Sequence, residues 1–196
     1  TRLEKLIAYM RQNKELWPES LALMVHMEDD LKREMGNIAA EQHEDVLDDL
    51  VDTVHRLTLW QDALPLFACL SPNTQYKVIN TPSMQKSEVL QATIIYTAQF
   101  NLWVTFLPLV EYMTEEQRKT LAQVIFEQGI DLTRHITTVA YQHHLWQPLF
   151  DMLAAMSAEA QAQTAPVLKQ LLAQEGGLES KWQPLIAKHQ LDHLFA

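Results

Sequence analysis

Cysteine, glycine, basic residues and long apolar runs are all scarce in this 196-residue chain, and each scarcity removes a class of protein. The single thiol, Cys69, can close no internal disulfide and build no thiolate metal cage, so nothing calls for an oxidising compartment. Four glycines fall well short of the usual share of roughly 7%, which argues against sandwiches, barrels and phosphate-cradling loops that depend on positive-φ turns. No run approaches the roughly 18 apolar residues needed to span a bilayer, and the first residues lack the basic-then-apolar profile of a secretory signal. No membrane association and a cytoplasmic location are therefore expected. Fifteen basic residues against 25 acidic ones leave a net charge of -10, which repels phosphate backbones and anionic lipid surfaces and disfavours nucleic acid as a partner. Catalytic signatures are missing too: there is no Gly-x-Ser-x-Gly, no Walker-type loop and no His-Glu-x-x-His. No catalytic residue, metal site or cofactor is assigned.

What the chain does have is 47% apolar residues with 20% charged, the composition of a folded domain, and an internal repeat. Trp17, Trp60, Trp103 and Trp146 are spaced by 43 residues each time. Leucine precedes every one, at Leu16, Leu59, Leu102 and Leu145, and Leu21, Leu64, Leu107 and Phe150 follow four residues on. Ten residues on come Met27, Leu70, Met113 and Met156, so the neighbours keep register without gaps. This is the pattern of stacked helical units, each with an apolar face. Ser71-Pro72, Thr114 and Ser157 stand where a second helix would be capped, and Glu28-Asp29-Asp30 takes their place in the first unit. That second helix runs to about Ala40, Asn80, Gln128 and Ala173, and is stopped by Thr81-Pro82-Ser83, Gly129 and Gly176-Gly177. A third helix then covers residues 44-58, 87-101 and 130-144, with Val46, Val89 and Leu132 and then Val54, Thr97 and Ala140 in register. The reading is an all-α, single helical-repeat domain of about four three-helix units, at 16-58, 59-101, 102-144 and 145-177. Residues 1-15 align with a third helix and read as a partial unit or N-terminal cap, and residues 178-196 read as a C-terminal cap. There, Gln190-Leu191-Asp192-His193-Leu194-Phe195 looks like a slipped copy of His144-Leu145-Trp146-Gln147-Pro148-Leu149-Phe150. Trp17, Trp60, Trp103 and Trp146 are read as structural wedges between successive units, because burying about 150–250 Å² of aromatic surface at every junction explains their recurrence.

Charge is distributed unevenly. Residues 28-52 hold ten acidic side chains against Lys32 and Arg33, so -8 of the total -10 sits there. Asp45, Asp48, Asp49 and Asp52 share one helix face, which suits a solvated surface, a docking patch for a basic partner, or divalent-cation sensing. Asp52/His55, His143-His144 and Asp131/His135 read as surface or turn pairs, since no second half of a metal site accompanies them.

The 43-residue period and the three-helix count resemble the armadillo and HEAT class of helical repeats, whose units stack into a right-handed α-α superhelix. That resemblance implies a concave binding surface lined by the third helices. Packing positions must recur while recognition positions are free to vary, which selects Asp49, Asp52, Arg56, Tyr96, Gln99, Arg134, His135, Tyr141 and Gln142 as the binding surface. The expected function is a non-catalytic scaffold for a protein or peptide. A small-ligand binder or enzyme with a pocket in the superhelix is the alternative.

Overall fold

Each of the four in-register tryptophans is the first residue of a helix: α2 (Trp17–Met24), α5 (Trp60–Cys69), α8 (Trp103–Phe106) and α11 (Trp146–Ala155). The structure is a computed structural model that describes residues 1–42, 44–173 and 179–195, and among these residues it is helical with no strand. The remaining helices are α1 (Arg2–Gln12), α3 (Asp29–Gln42), α4 (Glu44–Arg56), α6 (Pro72–Ile79), α7 (Ser87–Gln99), α9 (Glu115–Glu127), α10 (Ile130–Gln142), α12 (Ala158–Ala173), α13 (Glu179–Lys188) and α14 (Asp192–Phe195). Two 3-10 segments, Lys14–Leu16 and Leu107–Tyr112, complete the backbone. The chain divides into two compact units, Thr1–Thr105 and Phe106–Ala196. Among the described residues no helix is long and apolar enough to cross a membrane.

A recurring backbone corner places Trp60, Trp103 and Trp146. The third helices α4, α7 and α10 all end in a left-handed residue, Thr58, Asn101 and His144, with φ of 56°, 52° and 56°. The next N–H, of Leu59, Leu102 and Leu145, reaches back to the carbonyls of Val54, Thr97 and Ala140 at 2.9, 2.9 and 2.8 Å. The left-handed residues themselves donate to His55, Ala98 and Tyr141. These paired bonds define a Schellman cap, which satisfies the last carbonyls of one helix and turns the chain into the next. The leucine of each Leu-Trp pair thus serves the corner and the tryptophan fills the space behind it. No indole of the four is more than 6% exposed. Burial on this scale removes about 4–6 kcal/mol worth of apolar surface from water per indole. His55 packs edge-on to Trp60, and Tyr141 packs edge-on to Trp146 at a centroid distance of 5.5 Å.

Both ends of the series depart from this pattern. Before Trp17 the chain takes the 3-10 segment Lys14–Leu16 in place of the left-handed corner. Near the C-terminus the segment read as a cap carries a further corner: Gln190 has φ 55°, and the N–H of Leu191 meets the carbonyl of Ile186 at 3.0 Å. The slipped copy of the motif is therefore present as structure, displaced by three residues, with α13 in the place of a third helix and α14 in the place of a first. Phe195 takes the aromatic role there, lying 6.3 Å from both Phe150 and Trp182. The Gly176-Gly177 stop lies outside the described residues.

Caps fall where the hydroxyls stand. Ser71 accepts from the N–H of Thr74, Thr114 forms a reciprocal capping box with Gln117, and Ser157 accepts from the N–H of Ala160. One expected α-helix is mixed: after Phe106 the chain tightens into the 3-10 segment Leu107–Tyr112, with Pro108 in its first turn, where no backbone donor is needed. Pro65, at the equivalent place, sits inside α5, which stays α-helical.

Packing repeats within each unit. In residues 1–105, α1 packs on α3 and α4 on α6, while in residues 106–196, α10 packs on α12. Likewise α2 meets α5 in the first unit and the Leu107–Tyr112 segment meets α11 in the second. Third-helix positions in register are sealed together: Val54, Thr97 and Ala140 are all 0% exposed. The hydroxyl of Thr97 donates to the carbonyl of Thr93 at 2.7 Å, which lets a polar residue occupy that core site.

Candidate functional site

The third helices carry the residues that the sequence nominated, and the structure separates them into engaged and free groups. Asp49 is half-buried and accepts from the Lys14 ammonium at 2.7 Å, while its neighbour Asp45 accepts from the Arg11 guanidinium at 2.5 Å. Asp48 accepts from the backbone N–H of Ser83 at 2.7 Å and so anchors the buried turn after α6. Three of the four carboxylates on this face are thus spent on the fold, tying α4 to the segment before Trp17 and to the 81–86 turn. Among the described residues no group of three or more metal-capable side chains comes together. Arg134 pairs with Asp131 at 3.1 Å, His135 is exposed, and the Tyr141 ring is occupied by Trp146. Gln142 is exposed.

Like Gln142 on α10, Asp52, Arg56 and Gln99 differ from the engaged residues. All three are exposed, and none has a hydrogen-bond or ion-pair partner among the described residues. They lie on α4 and α7, which pack against each other within residues 1–105. Ile95, 49% exposed, stands on α7 at the position equivalent to Asp52, and Tyr96 is half-buried and stacked on Phe100 at 6.1 Å. Cys69 is half-buried with its thiol 3.4 Å from Asp29, and burial, reinforced by that carboxylate, pushes the thiol pKa up.

A second constellation, in residues 106–196, was not nominated from the sequence. Asp151 on α11 is only 4% exposed, yet three polar side chains from three elements converge on its Oδ1. Gln147 Nε2, one turn back, donates at 2.6 Å. His189, just past α13, brings Nε2 to 2.9 Å, within ion-pair range but without its N–H aligned to donate. Arg118 on α9 places Nη1 at 3.8 Å and donates through Nη2 to the carbonyl of Met113 at 3.0 Å. Burial holds the His189 pKa below the ordinary histidine value; the Asp151 charge opposes that shift, and Lys188 and Arg118 add to it. These groups form the wall of a cavity of about 450 Å³, completed by Glu115, Lys119, Ala154, Ala155 and Met156. That volume lies within the usual range of small-molecule sites. By contrast, the apolar void of about 40 Å³ beside Trp17, Met24 and Met35 has room for about three waters.

One signal for Asp151 was available. Its equivalents in the 43-residue register are Ala22 and Pro65, both exposed, and Pro108, half-buried, so a carboxylate stands where the register otherwise holds small or ring-closed residues, and only the carboxylate is buried. The recurring helix carries no charge there, which marks Asp151 as a local exception. No family model matches the chain, and no curated protein or solved structure is significantly similar to it.

Proposed function

We propose that the chain is a non-catalytic interaction module, a right-handed α-solenoid of 43-residue units, which binds a protein or peptide segment rich in lysine and arginine on the α4/α7 face. One observation carries this reading: the inward third-helix positions Val54, Thr97 and Ala140 are sealed, whereas outward positions of the same helices vary and hold unpartnered Asp52, Arg56 and Gln99. Recurrent packing beneath variable exposed groups is what a recognition surface requires. Partner chemistry follows from charge, because residues 28-52 carry ten acidic against two basic side chains, an excess that Arg11 and Lys14 offset only in part. The stacking itself is supported by the recurrence of the Leu-Trp corner at Thr58, Asn101 and His144 and by the repeated helix pairings within each unit.

The test is affinity capture with the wild type and an Asp52→Ala/Tyr96→Ala/Gln99→Ala variant, at low and high salt. A basic partner that is held at low salt, released at high salt and lost by the variant supports the reading, since exposed charge pairs are screened. Equal capture by both proteins contradicts it. The Asp151 cavity favours a second and compatible reading, binding of a small ligand.

A further inference from the structure

The geometry points to the Asp151 cavity as a binding site for a free α-amino acid with an apolar side chain, its carboxylate held by Arg118 and its ammonium by Asp151. This rests on the small-ligand reading of that cavity and is independent of the α4/α7 face.

Unused bonding capacity is the first argument. The Gln147 hydrogen bond to Asp151 falls on Oδ1, and Arg118 and His189 also approach the carboxylate at that oxygen, so the bonding is one-sided. On the facing helix the Nε–H of Arg118 is buried and has no acceptor. His189 Nε2, in the same wall, is also buried without a hydrogen-bond partner, and buried polar groups left open in one cavity are costly unless a ligand or water completes them. A guanidinium also matches a carboxylate more closely than any other group does.

Charge balance is the second argument. The polar wall holds Arg118 and Lys119 against Asp151 and Glu115, with Lys119 already 2.8 Å from Glu115. His189 completes the wall as a neutral ring at neutral pH, its pKa being held below the ordinary value. The site therefore has no net charge but has separated positive and negative poles. A simple anion or a simple cation entering it would leave one pole uncompensated, whereas a zwitterion satisfies both. Beside these poles the end of α11 offers Ala154, Ala155 and Met156, an apolar wall for a side chain. The cavity of about 450 Å³ accommodates an amino acid the size of leucine.

The experiment follows the ¹³C methyl signal of Met156 in the intact chain during titration with L-leucine, N-acetyl-L-leucine and L-leucinamide. N-acetyl-L-leucine keeps the carboxylate and stands in for a peptide C-terminus; L-leucinamide keeps the ammonium and stands in for an N-terminus. L-leucine is expected to give a saturable shift with an affinity at least about tenfold above either analogue, and Arg118→Gln is expected to abolish the preference over L-leucinamide. No shift with L-leucine up to about 10 mM overturns the proposal, as does an equal response to all three compounds. Because the decisive readings come from the wild type, they hold even if Arg118→Gln fails to fold.

Discussion

His189 Nε2 lies 2.9 Å from Asp151 Oδ1, and this contact joins α11 to the end of α13 around a carboxylate that is almost fully buried. A charge so placed is tolerable only with its partners present. Asp151→Ala removes the acceptor for Gln147 and leaves the Arg118 guanidinium uncompensated. Because Arg118 is partly exposed, the cost should stop short of that of a fully buried pair, at about 2–3 kcal/mol. Urea denaturation will show it as a lower midpoint with an unchanged slope.

The same pair makes stability depend on pH. Folding holds the His189 pKa below 6.5, chiefly by burial, so on acidification the unfolded chain takes up a proton that the folded chain refuses. The unfolded state then binds more protons, and stability falls as pH drops through and below the ordinary histidine range. The His189→Gln variant should lose less thermal stability than the wild type between about pH 7.5 and about pH 5.5. An NMR titration of the His189 ring should give an apparent pKa below 6.5.

Thr58 is a β-branched residue at φ 56°, where its Cβ crowds the backbone; Asn101 holds the same corner at φ 52° with a side chain that tolerates it. Thr58→Gly relieves the crowding and gives back part of the gain as chain entropy, a net stabilisation of about 0.5–1 kcal/mol. Asn101→Gly should change little. Thermal melts of the two variants side by side check the difference.

The acidic face of α4 makes an opposite pair of predictions. Asp48→Ala strands the N–H of Ser83, a residue only 2% exposed, and should cost about 1–3 kcal/mol. Asp52→Ala removes an exposed carboxylate with no partner among the described residues and should stay within about 0.5 kcal/mol. Magnesium titrated into the wild type should give no saturable heat, since Asp45, Asp48 and Asp49 are already bound to Arg11, Ser83 and Lys14.

Helix content, helix starts and the burial of the four tryptophans were legible because each rests on a local or periodic signal: hydroxyl caps, and leucine and tryptophan recurring every 43 residues. The corners at Thr58, Asn101, His144 and Gln190 were not, because left-handed backbone usually advertises itself as glycine and here it is carried by four different side chains. Spacing placed Asp45 to Asp52 on one face but could not show that Arg11, Lys14 and the Ser83 N–H fold onto it. Asp151, Arg118 and His189 come from α11, α9 and the end of α13, so only tertiary packing brings them together. Their one trace in the sequence is a carboxylate where the register otherwise holds alanine or proline.

The role of the α4/α7 face is tested most directly by photo-crosslinking from single sites. With a benzophenone side chain at Gln99, and as a control at the exposed Gln163 on α12, irradiation in cell extract should link a lysine- and arginine-rich segment to position 99 alone. Asp52→Ala in the same chain should weaken that adduct. Identical adducts from positions 99 and 163, or none from 99 at low salt, would contradict the assignment of this face as the recognition surface.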